Sequence, residues 1–293
     1  MSLRITPLTE TEPGPSSHRL AWLASGPAGE PLGSAFLRVF DREEQRHLAE
    51  LELSVHPAER RGGVGTRLLD VALAAARAQE RRSVLAQAEQ GSPADLFLAA
   101  RGFRPVLSLI YARLPLTDAD LPALDALADR PCPGYRLTEW DGTVPAALAR
   151  TYADARRAMD DMPMGDTDHG RVVWDVDRLV AAAEAVARRG DLLHTVAAVD
   201  TADGSVVGFS ELVVPGDGRG DGQHYGTAVL PEHRGRGLAR RMKALSIRRA
   251  RERHPELGGL LTDTADGNAP MRAVNEALGY LPTHRSVEHR RDL

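Results

Sequence analysis

Hydrophobic positions fall into two alternating rhythms, and the same succession of rhythms occurs twice. Segments 20–24, 33–40 and 48–55 alternate or run apolar over strand lengths. Leu68, Leu69, Ala72, Ala75 and Ala76 then recur at helical spacing and predict a helix over about 63–81. A strand at 84–88, a helix at 94–100 ending near Gly102, and a strand at 106–114 complete the first series. The second series opens with a strand at 135–140, helices over about 144–159 and 178–189, and strands at 193–199, 206–213 and 224–230. A helix over 237–253, a strand at 260–264, a helix at 269–278 and an extended tail at 283–289 close it.

The two series share residues as well as rhythm. Val55-His56-Pro57-Ala58-Glu59-Arg60-Arg61-Gly62-Gly63-Val64-Gly65 aligns without gaps to Val229-Leu230-Pro231-Glu232-His233-Arg234-Gly235-Arg236-Gly237-Leu238-Ala239, 174 positions later. The common pattern is V-x-P-x-x-R-x-x-G-x-(G/A). Gly102-Phe103-Arg104-Pro105 matches Gly279-Tyr280-Leu281-Pro282, and Leu3-Arg4-Ile5-Thr6 resembles Tyr135-Arg136-Leu137-Thr138. Three matches in the same order mark an internal repeat. The expected organisation is one domain over 1–116, a linker over 117–133 punctuated by Pro122, Pro131 and Pro133, and a second domain over 134–293. The linker carries a short helix near 119–128.

Composition narrows the classes. With 42% hydrophobic and 27% charged residues over 293 positions, the chain has enough apolar sequence for two cores. The formal charge of −4 gives no global field for nucleic acid, and the arginines at 248, 249, 251 and 253 lack interleaved aromatics, so no nucleic-acid partner is expected. Lys243 is the only lysine, and Cys132 is the only cysteine, which excludes an internal disulfide. The first residues lack a basic region followed by an apolar run, and no apolar stretch approaches a membrane span. The expected setting is cytoplasmic, away from membranes, as a monomer or homodimer.

The chemistry concentrates where the repeated motif joins a strand to a long helix. Glycines there let successive backbone N–H groups turn into one concavity, and the helix start adds donors without partners and a partial positive charge. Together these suit a diphosphate. A nucleotide-hydrolase loop is excluded because no Gly-Lys dipeptide exists, and a dinucleotide fingerprint because the motifs follow a fourth strand and lack G-x-G-x-x-G.

These residues resemble the GNAT superfamily of acyl-CoA-dependent N-acetyltransferases, in particular its tandem, two-domain actinobacterial members. The resemblance implies two GNAT-like domains of α/β (α+β) class, each a mixed, mostly antiparallel sheet flanked by helices, with the N-terminal copy shortened. It implies acetyl-CoA as acyl donor, with the pyrophosphate on Arg234, Gly235, Arg236, Gly237, Leu238 and Ala239. The backbone at Val229 and Leu230 would hold the pantetheine arm where the fourth and fifth strands splay. Asn268, Met271 and Asn275 fall in a stretch similar to the family form N-x-x-M-x-x-V-N-x-x-L-G-(F/Y). Val55, Arg60, Arg61, Gly62, Gly63, Val64 and Gly65 give a possible second CoA site in the first copy. No metal is expected.

The copies are unequal. From Arg4 to Arg60 is 56 positions and from Arg136 to Arg234 is 98, so the first copy is shorter by 42. The second copy spends that length on the helices near 144–189, which in the family close over the acceptor. Between Thr6 and Arg19 the first copy has a short stretch rich in Pro, Gly, Ser, Thr and Glu, too short for such a lid. Its positions matching the second copy's late helix read Gly91 and Leu98, and the copy is read as a degenerate relic. Catalysis is therefore expected in 134–293.

Amine acetylation needs a neutral nucleophile, hence a base, and donors for the developing oxyanion. Two departures from the family stand out: its tyrosine acid is replaced by Asn275, and the glutamate that some relatives carry on the fourth strand by Gln223. The candidates nearby are Glu211, His224 and Tyr225, each with a plainer alternative as a surface or core residue. Period-two counting places Tyr225 on the face of Gln223, Thr227 and Val229. Asp160, Asp161, Asp166, Asp168 and His169 form an acidic stretch, read as a solvated loop or an electrostatic mouth for a cationic amine. The expected reaction is acetyl transfer from acetyl-CoA to a primary amine of a small molecule by direct attack; the alternative is a non-catalytic acyl-CoA-binding or sensing protein.

Overall fold

The structure, a computed structural model, describes residues 3–8, 17–170 and 172–293. The described residues form twelve strands and seven α-helices, and the chain divides into two compact units that are interleaved in sequence.

The first unit comprises Met1–Ser108, Met164–Arg171 and Arg285–Leu293. Strands β1 (Arg4–Leu8), β2 (Ser17–Ser25), β3 (Pro31–Phe40) and β4 (Leu48–Val55) form an antiparallel meander, and β5 (Ser83–Glu89) joins β4 in parallel. Helix α1 (Val64–Ala78) makes that crossover, sealing Leu68, Leu69, Ala72 and Leu73 against Leu37, Val39 and Leu51. Helix α2 (Pro93–Ala100) follows, capped by the Ser92 side chain, which accepts from the Asp95 N–H. The far edge of β5 receives the last strand of the chain, β12 (Leu281–Asp292), antiparallel over Ser286–Asp292.

The second unit comprises Leu109–Pro163 and Val172–His284. Strands β7 (Tyr135–Asp141), β8 (Leu192–Asp200), β9 (Val206–Val214) and β10 (Gly220–Val229) are antiparallel, and β11 (Leu257–Ala265) runs parallel to β10. Strand β6 (Arg104–Pro115) closes this sheet by pairing antiparallel with β11 over Leu109–Pro115. Helix α6 (Leu238–Arg253) covers one face, with Met242 against Gly208, and α4 (Ala146–Ala155) the other, with Tyr152 packed edge-on to Phe209. Helices α3 (Leu121–Ala128), α5 (Val176–Arg188) and α7 (Ala269–Ala277) complete it.

Both units thus use one plan: four antiparallel strands, a parallel fifth and an antiparallel sixth. The sixth strand does not follow chain order. β6 leaves α2 to complete the second unit, and β12 completes the first.

The helices expected from periodicity are present, with one split. The expected helix over 144–159 becomes α4 followed by a 3-10 turn, Arg156–Met159. Of the first copy's short stretch, residues 9–16 lie outside the described residues. The acidic stretch after α4 is divided. Asp166, Asp168 and His169 belong to the first unit, held by ion pairs at 3.5 Å to Arg104, 3.5 Å to Arg290 and 3.1 Å to Glu288 respectively. The side chains of Asp166 and Asp168 stay exposed to solvent, whereas His169 is mostly buried.

Because β5 depends on β12 for its second edge, removing residues 285–293 should abolish amide-exchange protection along 84–88 and loosen α1. Protection in β8 and β9 should stay within a factor of about two, since opening is local to the unit that loses its contacts. Unchanged protection in β5, read by hydrogen exchange, would contradict the dependence.

Candidate active site

The parallel pair β10/β11 sets the geometry. Its ladder runs from Gly220/Leu257 to Gln223/Leu261 and stops there. Beyond Gln223, β10 pairs only with β9, so its other edge opens onto a cleft between diverging strands. In the first unit β4 and β5 part in the same way, after Leu51/Ala86. An unpaired edge presents backbone donors and acceptors in a row.

A register irregularity between His224 and Gly226 sits at the mouth of the split. Such a bulge turns one residue out of alternation and bends its strand. Tyr225 consequently shares a face with Gln223 but not with Thr227, whose hydroxyl lies 2.8 Å from Ser210 Oγ. This corrects the face expected from period-two counting. Tyr225 is 51% exposed, and its hydroxyl accepts from Arg189 Nη2 at 2.8 Å.

At the other end of β10 lies the repeated loop. After Leu230 come a 3-10 turn (Pro231–His233), then Gly235 at φ 78° and Gly237 at φ 75°, and α6 starts at Leu238. A Cβ on either glycine would meet nothing within 4 Å, and no side chain caps α6. The first backbone N–H taken inside the helix is that of Arg241, which donates to Gly237 O at 3.1 Å, so the N–H groups of residues 238–240 have no partner within the helix. The first unit repeats the bend: Arg61 stands at φ 67° where the second has Gly235, and Gly63 at φ 83° where it has Gly237. A side chain in that region costs about 1–2 kcal/mol, so the bend is kept against local preference.

The motif's arginine has a structural duty. Arg234 Nε donates to Val229 O at 2.8 Å, and its Nη2 donates to Asp161 at 3.0 Å. Arg60 Nε donates to Val55 O at 3.3 Å, the equivalent bond. Each arginine clamps the end of the strand five residues upstream, which accounts for the fixed Val-to-Arg spacing. Arg236 stays exposed beside the loop, its guanidinium 5.3 Å from the Tyr135 ring centre.

The carboxylate and imidazole singled out in the sequence are placed apart. Glu211 is buried and accepts from Tyr152 Oη at 2.5 Å and Arg156 Nη1 at 2.7 Å. The Arg156 guanidinium lies 4.0 Å from the Trp174 ring centre and 4.8 Å from that of Phe209. Burial, then the neighbouring Glu211 charge, pushes the Tyr152 hydroxyl well above its ordinary range. His224 points to the opposite face, toward α6, and is 4% exposed. Its ring nitrogens have no side-chain hydrogen-bond partner, and the Glu211 backbone is the polar group beside the imidazole. Burial, with the nearby Lys243 charge, holds the imidazole well below its ordinary pKa.

Two residues that sequence reasoning did not select flank the split. Asp263 on β11 faces the Tyr225 side, receives Gln223 Nε2 at 3.4 Å, and sits opposite Tyr111, whose ring stacks on His284 at 4.5 Å. Its side chain keeps contact with solvent, yet crowding by the protein raises its carboxyl pKa. Lys243 on α6 faces the other side, 1% exposed, and donates to Asn275 Oδ1 at 2.7 Å. Of the expected α7 residues, Asn268 caps the helix, accepting from Met271 N at 3.2 Å, and Asn275 is buried, its Nδ2 donating to Thr264 Oγ1 at 3.0 Å. A carboxylate on the fifth strand and a buried amine on the long helix carry no periodic signal; only the uniqueness of Lys243 was visible.

A sheet split between its two parallel strands, with a glycine bend at the head of the following helix, is the arrangement of an acyltransferase fold. The chain belongs to the acetyltransferase (GNAT) family, whose profile matches residues 4–103 and 166–280. It is 30% identical over 287 residues to a mycothiol acetyltransferase of Nocardia farcinica, covering 95% of this chain and 84% of that one. A second mycothiol acetyltransferase, from Sanguibacter keddieii, is 31% identical over 239 residues, covering 78% and 70%. Among solved structures, a tandem GNAT protein from the clavulanic acid biosynthesis pathway superposes with a TM-score of 0.81 at 23% identity, over 99% and 98% of the two chains. A GCN5-related N-acetyltransferase from Sphaerobacter thermophilus follows the same fold, with a TM-score of 0.65 at 21% identity over 93% and 80%. The protein is thus an acyltransferase of tandem GNAT architecture. No helix among the described residues is long and apolar enough to cross a membrane.

Glu211→Ala should lower the unfolding free energy by about 3–5 kcal/mol, because it strands the Arg156 charge among aromatic rings. Chemical denaturation measures this; a change below about 1 kcal/mol would remove the structural role.

Proposed function

We propose that the second unit transfers the acetyl group of acetyl-CoA to a primary amine of a small molecule. The observation that carries this reading is the split between β10 and β11, which has the open glycine bend at one end and Asp263 with Tyr225 at the other. The mycothiol acetyltransferase relatives support an acceptor of small-molecule size.

The residues present fit the coenzyme. Backbone N–H groups from Gly235 to Arg240 would receive the pyrophosphate, with Arg236 beside them, and the free edge of β10 would receive the amides of the pantetheine arm. Bound there, acetyl-CoA supplies an activated acyl carbon at the mouth of the split. Arg234 fixes the strand end that carries Val229 and Leu230, acting on the coenzyme through the backbone.

The acceptor arrives on the Asp263 face. An alkylammonium of pKa ~10.4 costs roughly 4–5 kcal/mol to deprotonate at pH 7. Asp263 holds the ammonium by charge and takes its proton, and its raised pKa narrows the gap to be crossed. Gln223 steadies the carboxylate, and Tyr225, braced by Arg189, walls the mouth. Glu211 serves the α4 side of the core through its ion pair with Arg156. The first unit keeps the bend as a structural remnant.

Thiol release from acetyl-CoA over a panel of primary amines tests the reaction; coenzyme binding with no turnover across the panel would leave a sensing protein instead. Gly237→Val should raise the acetyl-CoA Kd at least about tenfold, roughly 1.4 kcal/mol, by straining and filling the bend. An unaltered Kd in calorimetry would refute the cradle. Asp263→Asn should lower kcat/KM for the best amine by about 10²-fold with the coenzyme Kd unchanged. Equal turnover by that variant would release Asp263 from its role.

A further inference from the structure

The face of the split opposite Asp263 holds a polar cluster that the structure leaves incompletely satisfied. His224 and Thr262 are the first residues beyond the last β10/β11 rung whose side chains point toward α6, and both are buried. Lys243 Nζ lies 2.7 Å from Asn275 Oδ1, 3.5 Å from Thr262 Oγ1 and 4.7 Å from the Tyr280 ring centre. The Tyr280 hydroxyl has no hydrogen-bond partner, and the buried His224 ring finds only the Glu211 backbone. Asp263 lies on the other face of β11. A protein interior does not leave several polar groups unserved at one place without cause.

Asn275 stands where family members carry the tyrosine that protonates the leaving group, four residues before Gly279, and its amide offers no exchangeable acid. The group bonded to that amide is the one lysine of the chain; every other cation among the 37 Lys and Arg residues is an arginine. A guanidinium does not release its proton near neutrality, whereas a buried ammonium does. Resting on the acetyl-transfer reading above, we propose that Lys243 is the proton donor to the departing CoA sulfur, held in place by Asn275 and Thr262 in lieu of the missing tyrosine. As the acceptor nitrogen forms its C–N bond and the C–S bond breaks, the electron pair leaves on sulfur. Lys243 gives that sulfur a proton, yielding a free thiol and a neutral lysine. The acceptor, bound as an ammonium, gives its first proton to Asp263, which passes it to solvent, and sheds a second to that carboxylate as the C–N bond forms; solvent returns one proton to Lys243.

The setting suits this duty. Burial brings the Lys243 pKa down to about 7, with only weak opposition from Asp263. His224, faced across the cluster, is held neutral by burial and by Lys243 itself, so it does not compete for the proton. Burial also drives the Tyr280 hydroxyl well above its ordinary range, which leaves it a neutral neighbour. The ammonium form predominates below that pKa, so donation fades as pH rises through about 7.

A single lysine permits a direct test. Protein labelled with 15N and 13C in lysine gives one side-chain signal, followed by NMR from pH 5 to 10 alone, with CoA, and with desulfo-CoA, which keeps the nucleotide but lacks the sulfur. The expected result is a midpoint near 7 in the free protein. CoA should displace the signal and raise the midpoint by at least about one unit, the effect of a thiolate at contact distance. Desulfo-CoA should not. In steady state, Lys243→Met should lower kcat about 10²-fold and remove the alkaline fall in its pH profile, with the acetyl-CoA Kd within threefold.

A Lys243 signal indifferent to CoA while calorimetry shows CoA bound, or equally displaced by desulfo-CoA, overturns the proposal and leaves the acetyl-transfer reading intact. No coenzyme binding in calorimetry overturns both. A Lys243→Met variant with wild-type kcat and the same pH profile also ends it.

Discussion

The arrangement depends on two parallel strands that begin as partners and then part. Parallel pairing between β10 and β11 ends at Gln223/Leu261, while both strands continue for several residues. In a closed sheet those residues would satisfy one another's backbone groups. Here the separation creates a lined slot: an unpaired edge on β10, a helix head with free N–H groups at one end, and buried side chains with unserved polar atoms on the α6 face. Each feature carries a free-energy cost in isolation. In the proposed reading, a long ligand with an anionic head and an amide-bearing arm would relieve the first two together, and its terminal sulfur would lie toward the third.

The duplication separates what the bend needs from what the reaction needs. Both units retain the arginine that clamps the valine carbonyl and the two left-handed positions that follow, even where Arg61 must adopt a conformation that suits glycine. Selection on backbone shape alone accounts for that much. Only the second unit adds the bulge at Tyr225, the α4 and α5 cover with its Arg156–Glu211 pair, and the Lys243–Asn275 contact. The groups proposed to react lie in one copy, although the bend is common to both.

Much of this was legible in the residues. Periodicity gave the helices and strands, because amphipathic elements must turn one face inward, and the repeated motif located the bend. The exchange of β6 and β12 between the units was not legible: both are strands of similar length, and nothing local distinguishes the partners β5 and β11. Counting by twos misplaced Tyr225 relative to Thr227, since one extra residue in β10 inverts the alternation beyond it. Glu211 drew attention as a carboxylate on a strand, but its environment is made by Arg156, Trp174 and Phe209, which come from two other segments and from β9 itself. Asp263 was passed over because a carboxylate between two threonines on a strand acquires meaning only when the neighbouring strand swings away.

Asp263 and Thr262 are consecutive, so the pleat of β11 sends one side chain to each face of the split. Asp263 meets the acceptor side, and Thr262 contacts the amine that lies behind. The proposed base and the proposed acid thereby stand on opposite sides of a single strand: crowding by the protein raises the Asp263 carboxyl, and burial brings the Lys243 ammonium down to about 7. The strand between them keeps the two groups from neutralising each other by contact. On the proposed reading, proton removal from the nitrogen and proton delivery to the sulfur are separate events at fixed places. An arginine at 243 would retain the charge but lose the delivery, so a chain that otherwise draws its cations from arginine carries a lysine at this position.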